Sequence, residues 1–265
     1  MSLPDLYDRV RSGVLHIIFL VGGVRTASGS AFVVGDLVVT NNHVFRGPTT
    51  ADVLIRFADS DPGRLEDGVR LTGQDFASRL VSGSDENHYD FAILKIPEVL
   101  QRAQYQFTFA DPRQATVGME VAFLGYPLDH LNLVLHRGTI SSIYQSGSER
   151  ILQLDASVNA SNSGGPALIL DTAEVTGIIT RKATGLTTGF AGLIASFEAN
   201  IHALELAKQR GGGVLIAGVD PMEGILLGQR QLLRIAREME RSANVGIGYA
   251  FAIDHVAGES CFDRP

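Results

Sequence analysis

Cysteine is almost absent from this sequence. Cys261 is the whole cysteine content of the 265-residue chain, so no intramolecular disulfide can form. Stability must then come from a packed core, and 45% hydrophobic residues with 19% charged residues supply one large domain or two small ones. This composition is compatible with a reducing compartment, and we expect a cytoplasmic protein, although a leader that had been trimmed would leave no trace.

Basic charge is also in short supply. The chain carries 22 Lys and Arg against 29 Asp and Glu, a net charge of −7. Nucleic-acid-binding proteins usually display a basic face, so neither DNA nor RNA is expected as a partner. The one basic stripe, at helical spacing, is interrupted by glutamates and is predicted to be a solvated helix face rather than an anion or membrane site. It consists of Arg230, Arg234, Arg237 and Arg241.

Long apolar runs are missing as well. The longest near the N-terminus, Val14–Val21, is too short for a membrane span, contains His16, and follows acidic residues rather than a basic leader. This run predicts the first strand of a barrel. A membrane partner is not expected.

The spacings of common metal and nucleotide sites do not occur. The histidines form no ligand pair of the HExxH or Cys/His kind. Gly211–Gly213 is not followed by Lys-Ser or Lys-Thr, so it is predicted to be a hinge between helices and not a phosphate loop. We therefore expect neither a metal nor a cofactor.

The most informative segment present is Asp155–Pro166, which contains Asn-Ser-Gly-Gly-Pro between two strand-like runs. A serine hydroxyl such as that of Ser163 needs a positioned base and an acid that orients the base. His43 ends a strand-like run in Thr-Asn-Asn-His, and Asp90 opens a β-branched apolar run. The order His, Asp, Ser is that of chymotrypsin-type proteases; because position 161 is Ser, the G-x-S-x-G elbow of α/β-hydrolases is absent.

Short apolar segments separated by turn residues run from Val14 to Lys182, a pattern typical of β-barrels. The predicted fold is mostly β: two packed six-stranded β-barrels of the chymotrypsin-like type with a helical hairpin insertion in the C-terminal half. The first barrel is assigned to residues 1–100, with His43 and Asp90. The second is assigned to residues 101–185 plus 244–265, with Ser163, and the insertion to residues 186–243.

The insertion is predicted from helical periodicity. Apolar residues recur at three- and four-residue intervals from Phe190 to Leu204, and Pro221 can open a second helix that extends to about Arg241. Strand character returns at Gly246–Ile253, the predicted closing strand. The competing assignment makes Gly189–Ala195 the closing strand and the rest an appendage, but helical periodicity over this length outweighs one short apolar run.

With these residues placed, the chain resembles the protease domain of the HtrA/DegP family within the trypsin-like superfamily. The resemblance implies hydrolysis of peptide bonds through an acyl-enzyme. It implies that Asp90 orients His43, that His43 takes the proton of Ser163, and that Ser163 attacks the carbonyl. The matching segments are Gly29–Val34, Thr40–Val44, Tyr89–Ile96, Gly118–Pro127, the Ser163 segment and Gly246–Ile253.

The resemblance also implies an oxyanion hole formed by the backbone N–H groups of Ser161 and Ser163. Relatives carry glycine where this chain has Ser161, and a serine held at positive φ costs on the order of 1 kcal/mol. One hypothesis is that substrate or a partner completes the hole. The alternative is that the turn simply tolerates serine.

By the family spacing, Ser157 lies at the base of the primary specificity pocket. Because it is not an acid, cleavage after small or medium apolar residues is expected. Thr180, Arg181 and Lys182 are expected to bind extended substrate by main-chain pairing, with an ordinary barrel strand as the competing interpretation.

Two other functions remain open at this point. The first is a catalytically impaired protease-like peptide-binding module, and the second is a small-ester hydrolase using the same triad. The expected partner is a polypeptide substrate, and the helical insertion is a candidate regulatory or oligomerisation element. The sequence ends soon after Ile253, so no PDZ domain is expected within it.

Overall fold

The computed structural model of the chain describes residues 1–127, 130–159, 161–180, 185–210, 220–242 and 246–263. Contacts divide the chain into two units, Met1–Arg181 with Gly246–Pro265, and Lys182–Val245. The first unit is built mainly of β-strands and contains all three predicted triad residues. The second unit consists of two helices in its described part.

The chain begins with helix α1, Leu3–Val10. The Ser2 hydroxyl accepts a hydrogen bond from the Asp5 N–H (3.3 Å) and so satisfies one of the free donors at the helix start. Leu6 and Val10 are fully buried in the core. These two side chains thus anchor helix α1 on the β unit.

The first sheet contains seven antiparallel strands in the order β5-β4-β1-β2-β3-β7-β6. Most residues of β1, β3, β4 and β7 are buried, because both faces of these strands are covered. Three short helices connect its strands or follow them: α2 (Asn42–Phe45), α3 (Gly73–Ser78) and α4 (Pro97–Leu100). The strands are β1 (Val14–Val21), β2 (Val24–Val34), β3 (Leu37–Thr40), β4 (Asp52–Phe57), β5 (Val69–Thr72), β6 (Leu80–Ser84) and β7 (Phe91–Leu94).

The second sheet is a closed six-stranded barrel in the order β10-β13-β12-β11-β8-β9. Its last strand, β13, lies far along the chain from β10 and β12 but pairs with both. Helix α7 (Asp254–Ala257) follows it. The strands are β8 (Glu120–Gly125), β9 (Val134–Ser146), β10 (Glu149–Leu154), β11 (Pro166–Ile169), β12 (Val175–Thr180) and β13 (Gly248–Ala252).

The two sheets share one hydrophobic cluster, in which Phe32 and Ile93 of the first sheet pack with Leu124 and Ile178 of the barrel. The predicted mostly-β, chymotrypsin-like class is confirmed. The first sheet differs in detail from a closed six-stranded barrel: in the described part of the chain it has seven strands and an open order. β5 and β6 are short edge strands, and each pairs with one neighbour only. Helix α3 lies between them in the chain.

The second unit contains helices α5 (Gly185–Gln209) and α6 (Pro221–Ser242). Residues 189–195 lie inside α5, so they do not form the strand of the competing assignment. Two arginines of the basic stripe make ion pairs with α5: Arg230 with Glu205 and Arg237 with Glu198, each at 2.7 Å. In the described ranges no helix is both long and apolar enough to cross a bilayer.

Candidate active site

The predicted base and acid lie side by side at the end of the first sheet. His43 is in α2, directly after β3, and Asp90 directly precedes β7, which pairs with β3. His43 Nδ1 lies 2.7 Å from Asp90 Oδ2, and the His43 backbone N–H donates to Asp90 Oδ1 at 3.0 Å. The carboxylate therefore contacts one residue twice, and Nε2 is the ring nitrogen left to accept a proton.

Asp90 has a φ of 44°, a conformation that costs a non-glycine residue about 1–2 kcal/mol. Its backbone is held on both sides: its N–H donates to the Asp85 carbonyl (3.0 Å), and its carbonyl accepts from Asn41 Nδ2 (2.8 Å). The Thr180 hydroxyl approaches Asp90 Oδ2 at 3.5 Å from the second barrel. The acid is thus fixed mainly by contacts within the first sheet, with one contact at the limit of hydrogen bonding from the barrel.

The predicted nucleophile, Ser163, lies in the turn between β10 and β11 and is 5% exposed. Its carbonyl accepts from the Ser30 N–H (2.8 Å), and Thr40 Oγ1 donates to the Ser30 carbonyl (2.7 Å). Gly164 has a φ of +87°, and a Cβ there would lie 2.0 Å from the Ser30 oxygen and 2.4 Å from Thr40 Oγ1. Only glycine fits this close approach.

These contacts fix the serine turn to β2 and β3, and β3 leads directly to His43. Within the described residues, no hydrogen bond joins the Ser163 hydroxyl to His43. Catalytic hydrogen bonds in ligand-free sites are often long and shorten when substrate binds. The structure therefore brings His43 and Asp90 into contact and holds Ser163 against β2, which pairs with the strand before His43.

Ser161 has a positive φ of 72°, the conformation that the sequence predicted to be strained. Its carbonyl accepts from Ser30 Oγ (2.8 Å), which itself accepts from the Tyr126 N–H (3.1 Å). Among acceptors in the described ranges, none receives the N–H of Ser161 or of Ser163. Two N–H donors without acceptors are what an oxyanion hole requires.

The family comparison decides what this arrangement is. The profile of the family described as "Trypsin-like peptidase domain" matches residues 27–178, which include His43, Asp90 and Ser163. The chain belongs to the trypsin-like peptidase family.

Relatives of this trypsin-like peptidase confirm the predicted HtrA/DegP resemblance. A probable periplasmic serine endoprotease, DegP-like, of Brucella suis is 32% identical over 191 residues, which cover 69% of this chain and 33% of that protein. Serine protease HTRA3 of Homo sapiens is 30% identical over 199 residues, 69% of this chain and 40% of that protein. The chain thus spans less than half the length of these two relatives.

Solved structures show the same fold. The HtrA-type protease AlgW, solved with a tripeptide, superposes with a TM-score of 0.52 at 22% identity over 68% of this chain and 54% of AlgW. The Rv3671c protease of M. tuberculosis, in its active form, gives 0.52 at 23% identity over 67% of this chain and 74% of that one.

The predicted substrate-binding residues of this trypsin-like peptidase lie in different settings. Ser157 Oγ accepts from the Gly246 N–H at 2.9 Å, so its hydroxyl is committed to the segment that opens β13. Thr180 is 3% exposed, and its side chain contacts Asp90. Arg181 and Lys182 lie outside the described residues. The substrate-binding roles stay predictions.

Three residues that support the site were missed by sequence analysis: Ser30, Thr40 and Asn41. Thr40 and Asn41 stand inside the Thr-Asn-Asn-His segment, so their nearness to His43 was an available signal. Ser30 acts on a residue 131 positions away, for which the sequence offers no local signal. No group of three metal-ligating side chains occurs in the described ranges.

Proposed function

We propose that this chain is a serine endopeptidase that cleaves peptide bonds through an acyl-enzyme at Ser163. The observation that carries the proposal is the 2.7 Å contact of His43 Nδ1 with Asp90 Oδ2, together with a serine turn that is hydrogen-bonded to β2, the neighbour of the strand that leads to His43. The names of the relatives, serine endoprotease and serine protease, support the same reaction.

In the proposed reaction, Asp90 accepts the Nδ1 proton of His43 and so leaves Nε2 basic. Nε2 removes the Ser163 hydroxyl proton as Oγ attacks the peptide carbonyl, and the oxyanion accepts from the N–H groups of Ser161 and Ser163. The imidazolium then gives its proton to the leaving amine. Water, deprotonated by His43, hydrolyses the acyl-enzyme and releases the free serine.

We expect cleavage after small or medium apolar residues. Ser157 is neutral, and its hydroxyl is already bonded to Gly246, so it supplies no charge to pair with a lysine or arginine side chain. The substrate backbone would pair along Thr180, Arg181 and Lys182. A library of peptides varied at the residue before the scissile bond tests this; preferred cleavage after lysine or arginine would contradict it.

A second candidate function is a peptide-binding module with impaired catalysis. It is favoured by the strained φ of 72° at Ser161 and by the lack of a Ser163 to His43 hydrogen bond in the described structure. Under this alternative the fold and the peptide groove are retained, but Ser163 is not activated.

Labelling with a fluorophosphonate probe separates the two functions, because only an activated serine reacts with it. We expect wild type to be labelled and Ser163→Ala to be unlabelled. The exposed Ser148 provides a matched control, since Ser148→Ala should be labelled at the wild-type rate. Peptide binding without labelling would establish the impaired module, and turnover of simple esters without peptide cleavage would establish an esterase.

We also propose that the α5–α6 hairpin is an oligomerisation or regulatory element. Exposed apolar residues recur along α6 at helical spacing. Arg230 and Arg237 of the same helix form ion pairs with glutamates of α5. Light scattering and turnover of Leu232→Glu and Ile235→Glu test this. Unchanged mass and unchanged turnover would remove the idea.

A further inference from the structure

Ser161 has three polar groups, and strand β2 holds two of them. Its carbonyl accepts from Ser30 Oγ at 2.8 Å, and its hydroxyl shares a hydrogen bond of 2.9 Å with Ser28 Oγ. We propose that Ser28, oriented by Arg25, is a positioning residue that holds Ser161 in its left-handed conformation and so aims its N–H at the oxyanion. The inference rests on the proposed function.

The two contacts restrain the orientation of Ser161. With its carbonyl and its hydroxyl both bonded to β2, the directions of its Cα–C and Cα–Cβ bonds are restrained. For an L-residue this also restrains the third heavy-atom substituent of Cα, the nitrogen. The two hydrogen bonds offset part of the free energy lost in the positive φ.

Arg25 sets the direction of the Ser28 hydroxyl. The Arg25 guanidinium donates to Ser28 Oγ. A hydroxyl that accepts from a cationic donor has its own proton free to donate, and the Ser161 hydroxyl is the acceptor within reach. The bond from Ser28 to Ser161 therefore has a defined donor and a defined acceptor.

A bulge in the β1–β2 hairpin brings Arg25 and Ser28 to the same side. Residues three apart on a regular strand face opposite sides of the sheet. Here the register shifts between Phe19, which pairs with Ala27, and Leu20, which pairs with Arg25, so Thr26 is an extra residue. The extra residue reverses the alternation and allows the side chains of Arg25 and Ser28 to meet.

The proposal predicts that Ser28 matters only while residue 161 is serine. Glycine adopts positive φ at no steric cost and has no hydroxyl to hold. In wild type, Ser28→Ala should lower kcat about tenfold, less than the 10²–10³ that complete loss of one oxyanion donor costs, with KM almost unchanged. In a Ser161→Gly background, the same Ser28→Ala substitution should leave kcat unchanged.

The experiment measures kcat, KM and the fluorophosphonate labelling rate for wild type, Ser28→Ala, Ser161→Gly and the double variant. Ser28→Thr keeps the hydroxyl and should restore wild-type kcat. Thr26→Ala is the matched control, because Thr26 lies on the same bulge but bonds to the Phe19 carbonyl, and it should leave kcat unchanged.

The outcomes separate this inference from the proposed function. If wild type is labelled and Ser28→Ala has the same kcat, the inference is overturned and the proposed function stands. An equal loss from Ser28→Ala with serine or with glycine at position 161 also overturns it, because the effect then does not pass through Ser161. If wild type is not labelled, both fall together.

Discussion

The two halves of the proposed active site are held in different ways. The predicted acid–base half, His43 and Asp90, follows from the pairing of β3 with β7 in one sheet, and its central contact is direct and short at 2.7 Å. The nucleophile half is a turn of the second barrel that is bound by Ser30 of the first sheet. Acid–base geometry is therefore a property of one sheet, whereas the position of the nucleophile depends on contacts between the two.

Asp90→Asn should disrupt the acid–base half alone, and it should give the largest loss in kcat. An amide cannot accept the Nδ1 proton in the same way, so His43 is left in the wrong tautomer, and kcat should fall on the order of 10⁴. Steady-state turnover of a peptide substrate measures the loss. Asp85→Asn is the control, because Asp85 is a nearby, partly buried acid whose backbone carbonyl, not its side chain, bonds to Asp90. A comparable loss there would contradict the assignment.

The nucleophile half should be disrupted by a substitution that forces its backbone to move. Gly164→Ala places a Cβ 2.0 Å from the Ser30 carbonyl oxygen at a φ of +87°, so the turn must move away from β2. We expect a loss of about 3 kcal/mol in the free energy of unfolding and loss of labelling at Ser163.

Gly118→Ala is the matched control for this loss. Gly118 also has a positive φ, +91°, but an added Cβ there would meet nothing within 4 Å. Chemical denaturation should give a cost of only about 1 kcal/mol, with labelling retained. Equal costs at the two glycines would show that conformation and not close approach to β2 decides the effect.

The stability of the packing between the first sheet and the barrel should respond to pH through His16. Its ring is fully buried and stacks on Tyr126 with centroids 4.3 Å apart. Burial, and then the positive charges of Arg25 and Arg56, lower the pKa of His16 well below its ordinary value of 6.5. Below pH 6.5 the unfolded chain binds a proton that the folded chain does not, so the free energy of unfolding falls as pH falls, until the folded pKa is reached.

The slope from one such group is at most about 1.4 kcal/mol per pH unit. His16→Phe keeps a ring against Tyr126 but cannot titrate, so its denaturation midpoint should change less between pH 7 and pH 5. His136→Phe is made for comparison, because burial also lowers the pKa of His136. It shows how much of the pH dependence comes from that residue. Equal pH dependence in wild type and His16→Phe would show that protonation of His16 does not set the pH dependence of stability.

The smallest expected effect crosses from the second barrel to the acid. The Thr180 hydroxyl lies 3.5 Å from Asp90 Oδ2, at the limit of a hydrogen bond. Thr180→Val keeps the shape and removes the hydroxyl, so we expect only about a threefold loss in kcat and little change in stability. A loss approaching that of Asp90→Asn would mean that the acid depends on the barrel after all.

Sequence analysis predicted those elements and residues that are marked by short, local sequence patterns. Apolar patterns located β1, β13 and the helices α5 and α6 to within a few residues, and the short motifs marked His43, Asp90 and Ser163 as candidates. Sequence analysis did not find β5, because this strand has only four residues, none of them buried, and so carries too short an apolar pattern to be told from a loop.

The supports of the nucleophile were beyond local reasoning for a different reason. Ser28 and Ser30 are small polar residues in a strand, and nothing near them in sequence marks their shared partner Ser161, which lies more than 130 positions away. The bulge that lets Arg25 meet Ser28 depends on the register between two strands, and register is fixed by the whole sheet rather than by any one segment.

Ser30 limits how this protein could be silenced. Its N–H, its carbonyl and its hydroxyl join the serine turn, Thr40 and Tyr126 in four hydrogen bonds. A latent form made by hinge-like separation of the barrels would have to give up most of these bonds at one residue and expose a buried hydroxyl. An inactive form that keeps these bonds would have to arise from small peptide rotations inside the turn, at or near Ser161, rather than from a change in how the two sheets pack.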